Sequence, residues 1–72
     1  MNLVNLLTEP FMSCKNNVSL YDASGKELIK KQSTFRILAE VRNGKFKKYA
    51  TTDVAMVEYD SKGQASIAIH LK

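Results

Sequence analysis

Few residues of this chain have the chemistry of a catalytic or metal site. The single histidine, His70, and the single cysteine, Cys14, have no second ligand at Cys-x-x-Cys or His-x-x-x-His spacing. A nucleophilic thiol also needs a base and a group that orients it, and the residues around Cys14 supply neither. Three acidic residues, Asp53, Glu58 and Asp60, lie near the second predicted turn. Because Asp60 is needed to form that turn, Glu58 is the remaining candidate for acid–base chemistry, and it has no evident partner. We therefore expect no catalytic residue, no metal, no cofactor, and a protein that is not an enzyme.

Positive charge is the feature that points to a partner. Residues 26–48 hold eight of the eleven lysines and arginines against two acidic residues. Cations beside an exposed aromatic ring are typical of strands that bind single-stranded nucleic acid, because cations contact phosphates while the ring stacks on a base. One hypothesis is a small β-barrel that binds nucleic acid through a basic hairpin over residues 36–49. The alternative explanation of the charge is a lysine-rich face that only keeps the domain soluble. Its binding residues would be Arg36, Arg42, Lys45, Lys47, Lys48 and Tyr49.

Outward apolar side chains support a second hypothesis, which we favour. The predicted strands place Leu38, Tyr49, Val54 and Met56 on outward faces. This is more apolar surface than a small monomer ordinarily leaves in water, so a second layer of the chain or another protein must cover it. We expect a protein-interaction module that uses these four residues to bind a protein partner or a second copy of itself as a homodimer. No small-molecule substrate is expected.

Two copies of Tyr-Asp-x-x-Gly, at residues 21–25 and 59–63, predict hairpin turns. In each, the aspartate accepts hydrogen bonds from the turn backbone and the glycine adopts a positive φ. Counting outward from these turns sets the register of the flanking strands. The predicted pairs are Tyr21–Glu27 and Leu20–Leu28 in the first hairpin, and Tyr59–Ala65, Val57–Ile67, Ala55–Ile69 and Val54–His70 in the second. His70 then lies on the face opposite Ile67 and Ile69.

Asn43-Gly44 predicts a third hairpin, since a two-residue type I′ turn needs positive φ at both positions. Its strands would alternate between a core face and an outer face. Lys48 falls on the core face, which predicts a bulge or the end of pairing there. The core face would hold Phe35, Ile37, Ala39, Val41 and Phe46, and the outer face Arg36, Leu38, Glu40, Arg42, Lys45, Lys47 and Tyr49.

The first residues predict a short helix. Asn2 can cap it, three leucines recur at helical spacing over residues 3–7, and Pro10 ends it. So short a helix forms only when its apolar face docks on the sheet. We therefore predict an α+β, mostly β fold with this helix and five or six antiparallel strands forming a curled sheet or partly open barrel. One small domain would span residues 1–72, with 1–12 as the docking segment and 17–72 as the β-hairpin core.

Composition narrows the class of protein further. The apolar fraction of 44% is ordinary for a globular chain, no apolar run approaches membrane-spanning length, and a lone cysteine cannot form an internal disulfide. No secretion signal is visible. These features predict a cytoplasmic protein without a membrane partner.

The leucine-rich N-terminal helix, the segments over residues 18–28 and 53–57, and the final Ile67-Ala68-Ile69 strand resemble short accessory proteins encoded by bacteriophages and mobile elements. The resemblance covers most of the chain and rests on turn and core positions. It implies a product of the bacterial cytoplasm that binds a host or phage protein, including as an inhibitor of a host enzyme or defence system. No functional residue transfers with it. The local basic charge departs from the acidic surface of inhibitors that mimic DNA.

Overall fold

The chain folds in two layers, with helices packed on one face of a mixed sheet. The computed structural model describes residues 1–59 and 66–72. Within them, the order is α1 (Leu3–Leu7), β1 (Val18–Tyr21), β2 (Glu27–Gln32), α2 (Thr34–Asn43), β3 (Val54–Tyr59) and β4 (Ile67–Leu71), with short 3-10 turns at Pro10–Met12 and Lys47–Tyr49. The strand order is β2-β1-β4-β3. The central strands β1 and β4 are parallel, whereas β2 and β3 pair with them antiparallel and form the two edges.

This α+β architecture corrects the predicted fold in three respects. The described residues contain four strands rather than five or six, the sheet is mixed rather than antiparallel, and it stays open instead of closing toward a barrel. The parallel pair is possible because β2, α2 and β3 all lie between β1 and β4. Such a long connection lets the chain return to the sheet in the same direction.

The predicted hairpin at Asn43-Gly44 is wrong, because residues 34–43 form helix α2. Ser33 caps the helix, and its hydroxyl accepts a hydrogen bond of 3.1 Å from the Arg36 N–H. Gly44 follows the last turn with φ −105°, outside the positive region that a type I′ turn requires. A β-carbon at Gly44 would lie 2.9 Å from backbone atoms of Glu40, so close packing explains the glycine.

Helix α2 also changes which residues face the core. Ile37 and Val41 are fully buried, whereas Phe35, which the hairpin would have placed beside them, is 80% exposed. Apolar residues at positions 37, 38 and 41 fit the helical spacing, whereas those at positions 35, 37, 39 and 41 fit the alternation of a strand. The serine cap and the burial of one helical stripe decide between the two patterns in favour of the helix.

The turn at residues 22–25 is confirmed. The Gly25 N–H donates to the Asp22 carbonyl at 3.0 Å, and Gly25 has φ +89°. The Asp22 carboxylate accepts hydrogen bonds from the Ser24 hydroxyl at 2.6 Å, the Ser24 N–H at 2.9 Å and the Lys26 N–H at 3.0 Å. The following strands pair Tyr21 with Glu27, as predicted. A register shift next to this pair makes Leu20 face Ile29 instead of Leu28.

The second predicted turn, at residues 60–63, lies outside the described residues, but the strands beside it show the register. Tyr59 pairs with Ile67, Val57 with Ile69, and Met56 with His70. These pairs are two residues away from the predicted ones. Because side chains alternate with a period of two, this shift leaves Tyr59, Val57 and His70 on their predicted faces of the sheet. His70 therefore lies opposite Ile67 and Ile69, as the sequence predicted. The further register shift between Val54 and Met56 moves Val54 to the other face.

The Asp22 turn predicts a pH dependence of stability. The pKa of Asp22 is lowered, mainly by the hydrogen bond from the Ser24 hydroxyl, while desolvation opposes this shift. Hydrogen bonds from the backbone N–H groups of Lys26 and Ser24 and the positive charge of Lys26 lower the pKa further. A folded-state pKa below the unfolded value stabilises the protein above the unfolded pKa, and this contribution is lost as pH falls through the folded pKa. Asp22→Asn keeps a turn acceptor that does not titrate. Urea unfolding should show the advantage of the wild type over Asp22→Asn shrinking between about pH 6 and about pH 2; a pH-independent difference contradicts it.

One hydrophobic core lies between the helices and the sheet. Its fully or nearly fully buried side chains are Leu3, Leu6, Leu7, Met12, Val18, Leu20, Ile37, Val41, Ile67, Ile69 and Leu71. Asn2 caps α1 by accepting a 2.9 Å hydrogen bond from the Asn5 N–H. The Leu3 N–H donates to the Thr52 carbonyl and the Val54 N–H donates to the Met1 carbonyl, each at 2.9 Å. The three leucines of α1 and these backbone bonds tie the N-terminus to the start of β3.

Candidate functional site on the open face of the sheet

Within residues 1–59 and 66–72, the sheet has one face under the helices and one face that no helix covers. Strands β1 and β4 bury Val18, Leu20, Ile67 and Ile69 in the core, so the residues between them project to the other side. β3 and β2 add the residues that pair with these outward positions. We call this surface the open face. It consists of Ser19, Tyr21, Glu27, Met56, Glu58, Ala68 and His70.

A stacked pair of rings lies at the centre of the open face. Tyr21 and His70 are neighbours in the parallel register of β1 and β4. Their ring centroids are 5.0 Å apart and their planes differ by 13°. Stacked rings stabilise each other by about 0.5–1.5 kcal/mol beyond the area that they bury. The pairing of β1 with β4 thus brings together two rings that lie far apart in the chain.

Each ring of this pair is held by a carboxylate. The His70 Nε2 donates to a Glu58 carboxylate oxygen at 2.6 Å, and the Tyr21 hydroxyl donates to a Glu27 carboxylate oxygen at 3.2 Å. The pKa of Tyr21 is raised, mainly by partial burial and then by the hydrogen bond to Glu27 and the charge of Glu27. A hydrogen bond with the Ser19 hydroxyl lowers this pKa, and the charge of Glu58 raises it. The phenol therefore stays protonated near neutral pH. Each ring thus contacts the other ring and one carboxylate.

The contacts of His70 limit what chemistry the ring pair can do. A carboxylate bound to imidazole also orients the histidine in catalytic triads, where a nucleophile contacts the second ring nitrogen. Among the described residues, the hydrogen bond to Glu58 is the one that the structure shows for this imidazole, and Tyr21 covers a face of the ring. The arrangement suits a rigid contact surface.

A shallow depression of about 300 Å³ adjoins the ring pair. The Lys31 N–H donates to the Ser19 hydroxyl at 3.1 Å, and Lys31 has φ +43° where the β1–β2 register shifts. Met56 is 50% exposed and Tyr59 is 62% exposed. The depression is lined by Ser19, Tyr21, Lys31, Glu58, Tyr59, Ser66, Ile67 and Ala68. The site therefore mixes rings, carboxylates and an amine on a nearly flat surface.

No family model, curated protein or solved structure matches this chain. The interpretation of the site consequently depends on its own geometry. In the part of the chain that the structure describes, no group of three or more His, Cys, Asp or Glu residues could hold a metal ion. Cys14 is a free, exposed thiol. None of the described helices is long and apolar enough to span a membrane.

The four residues predicted to bind a protein do not lie together. Met56 is on the open face. Leu38, Tyr49 and Val54 are partly buried and pack against the core, so their predicted outward orientation is wrong. The reason is local: Leu38 lies on a helix rather than on a strand, Tyr49 lies in a 3-10 turn, and Val54 pairs with the buried Leu71.

The residues predicted to bind nucleic acid lie on α2 and the turns after it, not on a hairpin. Arg36, Arg42, Lys45, Lys47 and Lys48 are all exposed. Tyr49 is half-buried against the core, and the Lys48 amine lies 5.2 Å from its ring centroid. One face of its ring therefore already contacts a cation.

Two of these cations lie beside a groove between β2 and α2. Arg36 and Lys45 line it together with Lys30 and Glu40, and its volume is about 230 Å³. The Lys45 amine lies 5.3 Å from the ring centroid of Phe46. Lys30 was not among the predicted binding residues, because only the packing of α2 beside β2 brings it to this groove.

Sequence reasoning also missed Tyr21 and Glu27 as site residues. Both were recognised only as the pair that flanks the first turn. No local pattern in the sequence indicates which residue lies beside Tyr21 on the neighbouring parallel strand. His70 was recognised as outward-facing, but its predicted partner was Val54 rather than Met56 and Tyr21.

Proposed function

We propose that this protein is a non-enzymatic protein-interaction module that binds a partner protein through the open face of its sheet. The observation that carries the proposal is the one-sided covering of the sheet. The helices bury one face, while the other presents Tyr21, His70 and the half-exposed Met56. Tyrosine and methionine are enriched in protein interfaces, and charged residues are depleted at interface centres. The open face offers a tyrosine and a methionine, and its two central charges, Glu27 and Glu58, are each hydrogen-bonded to a ring.

The ordering of the rings supports binding for an energetic reason. Association immobilises side chains at a cost of about 0.5–1.5 kcal/mol for each flexible side chain. Tyr21 and His70 are already held by each other and by Glu27 and Glu58. They can therefore bind without that entropic loss, as anchor residues at the centres of interfaces do.

The chemistry of the open face also defines the partner. Its two carboxylates disfavour a phosphate backbone and favour a protein surface that offers an apolar or aromatic side chain to the rings and donors to Glu27 and Glu58. The resemblance to phage accessory proteins adds to the proposal that the partner is a bacterial host or phage protein, which this protein would inhibit or sequester.

Met56→Lys tests the proposal with a matched control, Phe35→Lys. Both wild-type side chains are large, apolar and exposed, at 50% and 80%, but Met56 lies on the open face and Phe35 on α2. Once a partner captured by the wild type has been purified, titration should show Met56→Lys binding at least about 30-fold more weakly, the size of a hot-spot loss of about 2 kcal/mol. Phe35→Lys should bind like the wild type. The reverse pattern would refute the open face as the binding site.

The groove between β2 and α2 favours a second candidate function, the binding of nucleic acid. Lys30, Arg36 and Lys45 converge there against one carboxylate, Glu40. Cations on a groove bind phosphates without reading sequence, and their affinity falls steeply with salt. This version of the nucleic-acid hypothesis uses α2 and β2 in place of the predicted hairpin, and phosphate contacts in place of stacking on Tyr49.

Charge reversal distinguishes the second candidate from the first. The double variant Arg36→Glu/Lys45→Glu should weaken binding of a fluorescent single-stranded oligonucleotide by about tenfold or more, and flatten the dependence of log K on log salt by about 0.7 for each lost phosphate contact. Lys26→Glu/Lys72→Glu, at two exposed positions away from the groove, changes the net charge by the same amount and is the control. If this control variant weakens binding as much, the groove is not the site. Met56→Lys should leave this binding unreduced.

A further inference from the structure

We propose that the edge of β3 pairs with the β3 edge of a second copy of this chain, antiparallel about a two-fold axis, so that two sheets of four strands become one continuous sheet. The inference goes beyond the function proposed above, since it concerns backbone pairing at the edge of the sheet, although Met56 and Glu58 of this strand also belong to the open face. It is carried by differences between the two edges of the sheet in backbone pairing, regularity and charge.

β3 is the last strand in the order β2-β1-β4-β3, so its ladder to β4 satisfies one side of its backbone. Among the described residues, the other side is covered only at its beginning, where the Val54 N–H donates to the Met1 carbonyl. Beyond that point Ala55, Met56, Glu58 and Tyr59 are all exposed. Within the described residues, no other strand pairs with this stretch. A free row of N–H and C=O groups is a template for another strand.

The opposite edge, β2, is protected against such pairing. It carries Lys30 and Lys31, its ladder to β1 has two register shifts, and Lys31 has φ +43°. Lysines and bulges are the devices by which proteins block edge-to-edge association. β3 runs Val54-Ala55-Met56-Val57-Glu58-Tyr59 without lysine, arginine or proline, and its one register shift, at Ala55 between Val54 and Met56, leaves the stretch from Met56 to Tyr59 regular.

Charge does not oppose a second copy as the occupant of the β3 edge. β3 carries a single charged residue, Glu58, so antiparallel self-pairing sets like charges opposite each other only if the axis passes through Glu58 itself. The chain has a formal net charge of +4, and Lys30 and Lys31 lie on the far edge. Pairing through β3 keeps the two β2 strands about 34 Å apart, since strands are about 4.8 Å apart. This is several times the screening length at physiological salt.

The size of the edge sets the strength of the association. A six-residue strand is about 20 Å long, and across a sheet about 10 Å thick it offers about 200 Å² to a partner. Stable dimers ordinarily bury about 800 Å² on each partner. The pairing is therefore reversible and concentration-dependent. A two-fold axis perpendicular to the sheet would also place both open faces on the same side of the dimer.

Single-cysteine variants test the proposal. In a Cys14→Ser background, Ala55→Cys, Met56→Cys and Glu58→Cys sample the β3 edge, and Lys30→Cys samples the β2 edge. Opposed residues of antiparallel strands have Cα atoms about 4.5–5.5 Å apart, which suits a disulfide. At least one β3 cysteine should form a disulfide-linked dimer at least about tenfold faster than Lys30→Cys, because pairing raises the effective concentration of the thiols. Equal rates at both edges would overturn the proposal.

Sedimentation equilibrium provides the second measurement. The average mass of the wild type should rise with concentration toward that of a dimer, whereas Ala55→Lys, which adds a charge at an exposed position of the edge, should remain monomeric over the same range. Circular dichroism checks that Ala55→Lys is folded. A wild type that stays monomeric up to millimolar concentration overturns the proposal, and so does an Ala55→Lys variant that is folded and associates like the wild type.

Discussion

Ile37→Ala is expected to lower the free energy of unfolding by about 2–5 kcal/mol, whereas Phe35→Ala should change it by less than about 0.5 kcal/mol. Ile37 is fully buried between α2 and the sheet, and Phe35, two residues earlier on the same helix, is 80% exposed. Two residues on an α-helix point about 200° apart, whereas on a strand they share a face. The pair of variants therefore reports directly on whether residues 34–43 form a helix in solution.

Urea unfolding followed by circular dichroism measures both effects. A domain of this size has a total stability of about 4–11 kcal/mol, so the Ile37 variant will lie close to the folding threshold. Phe35→Ala serves as the control because alanine has a higher helix propensity than phenylalanine, which offsets the small amount of packing that an exposed ring provides. Comparable destabilisation of the two variants would contradict the helix and support a strand over this segment.

Leu7→Ala is expected to cost a similar amount, about 2–5 kcal/mol, while Asn5→Ala on the same helix should stay within about 0.5 kcal/mol of the wild type. Leu7 is 2% exposed in the core, and the Asn5 side chain points to solvent. The Asn5 N–H still bonds to the Asn2 side chain in the variant, so the helix cap is kept. With only five residues, α1 depends on its buried leucines to form at all.

Hydrogen exchange supplies a local readout of the same prediction. The Val54 N–H donates to the Met1 carbonyl, and the Leu3 N–H donates to the Thr52 carbonyl. Weakened docking of α1 should open these bonds, so both amides should exchange faster in Leu7→Ala than in Asn5→Ala. If Leu7→Ala unfolds like the wild type and leaves both amides protected, α1 does not contribute to the core as the structure indicates.

The elements that were correctly predicted are those determined within a few residues of sequence. Asp22 and Gly25 form their turn because the aspartate oxygen, the Ser24 donors and the glycine φ are all local. The Asn2 cap and the leucines of α1 follow the same logic. The face of His70 followed from strand alternation, which survives a register shift of two residues.

The segment over residues 34–43 shows where local patterns are ambiguous. Its apolar residues satisfy the alternation of a strand and the spacing of a helix, and Asn43-Gly44 suits a hairpin turn as well as a helix end. The Ser33 cap was the local signal for the helix. The helix is stabilised because Ile37 and Val41 are buried in the core on one side of it. Since residues 34–43 form a helix, the predicted basic hairpin does not form.

The sequence by itself thus determined the first turn, the N-terminal helix, the basic character of residues 26–48 and the side of the sheet that His70 faces. Only the tertiary structure decided that β1 lies parallel to β4, that Tyr21 therefore stacks on His70, and that Glu27 and Glu58 hold the two rings. It also decided which edge of the sheet is left unprotected. The physical reason is that turns and helix caps depend on residues that are close together in the chain. Strand order depends on contacts between residues far apart in the chain, and no local sequence pattern indicates which of these will meet.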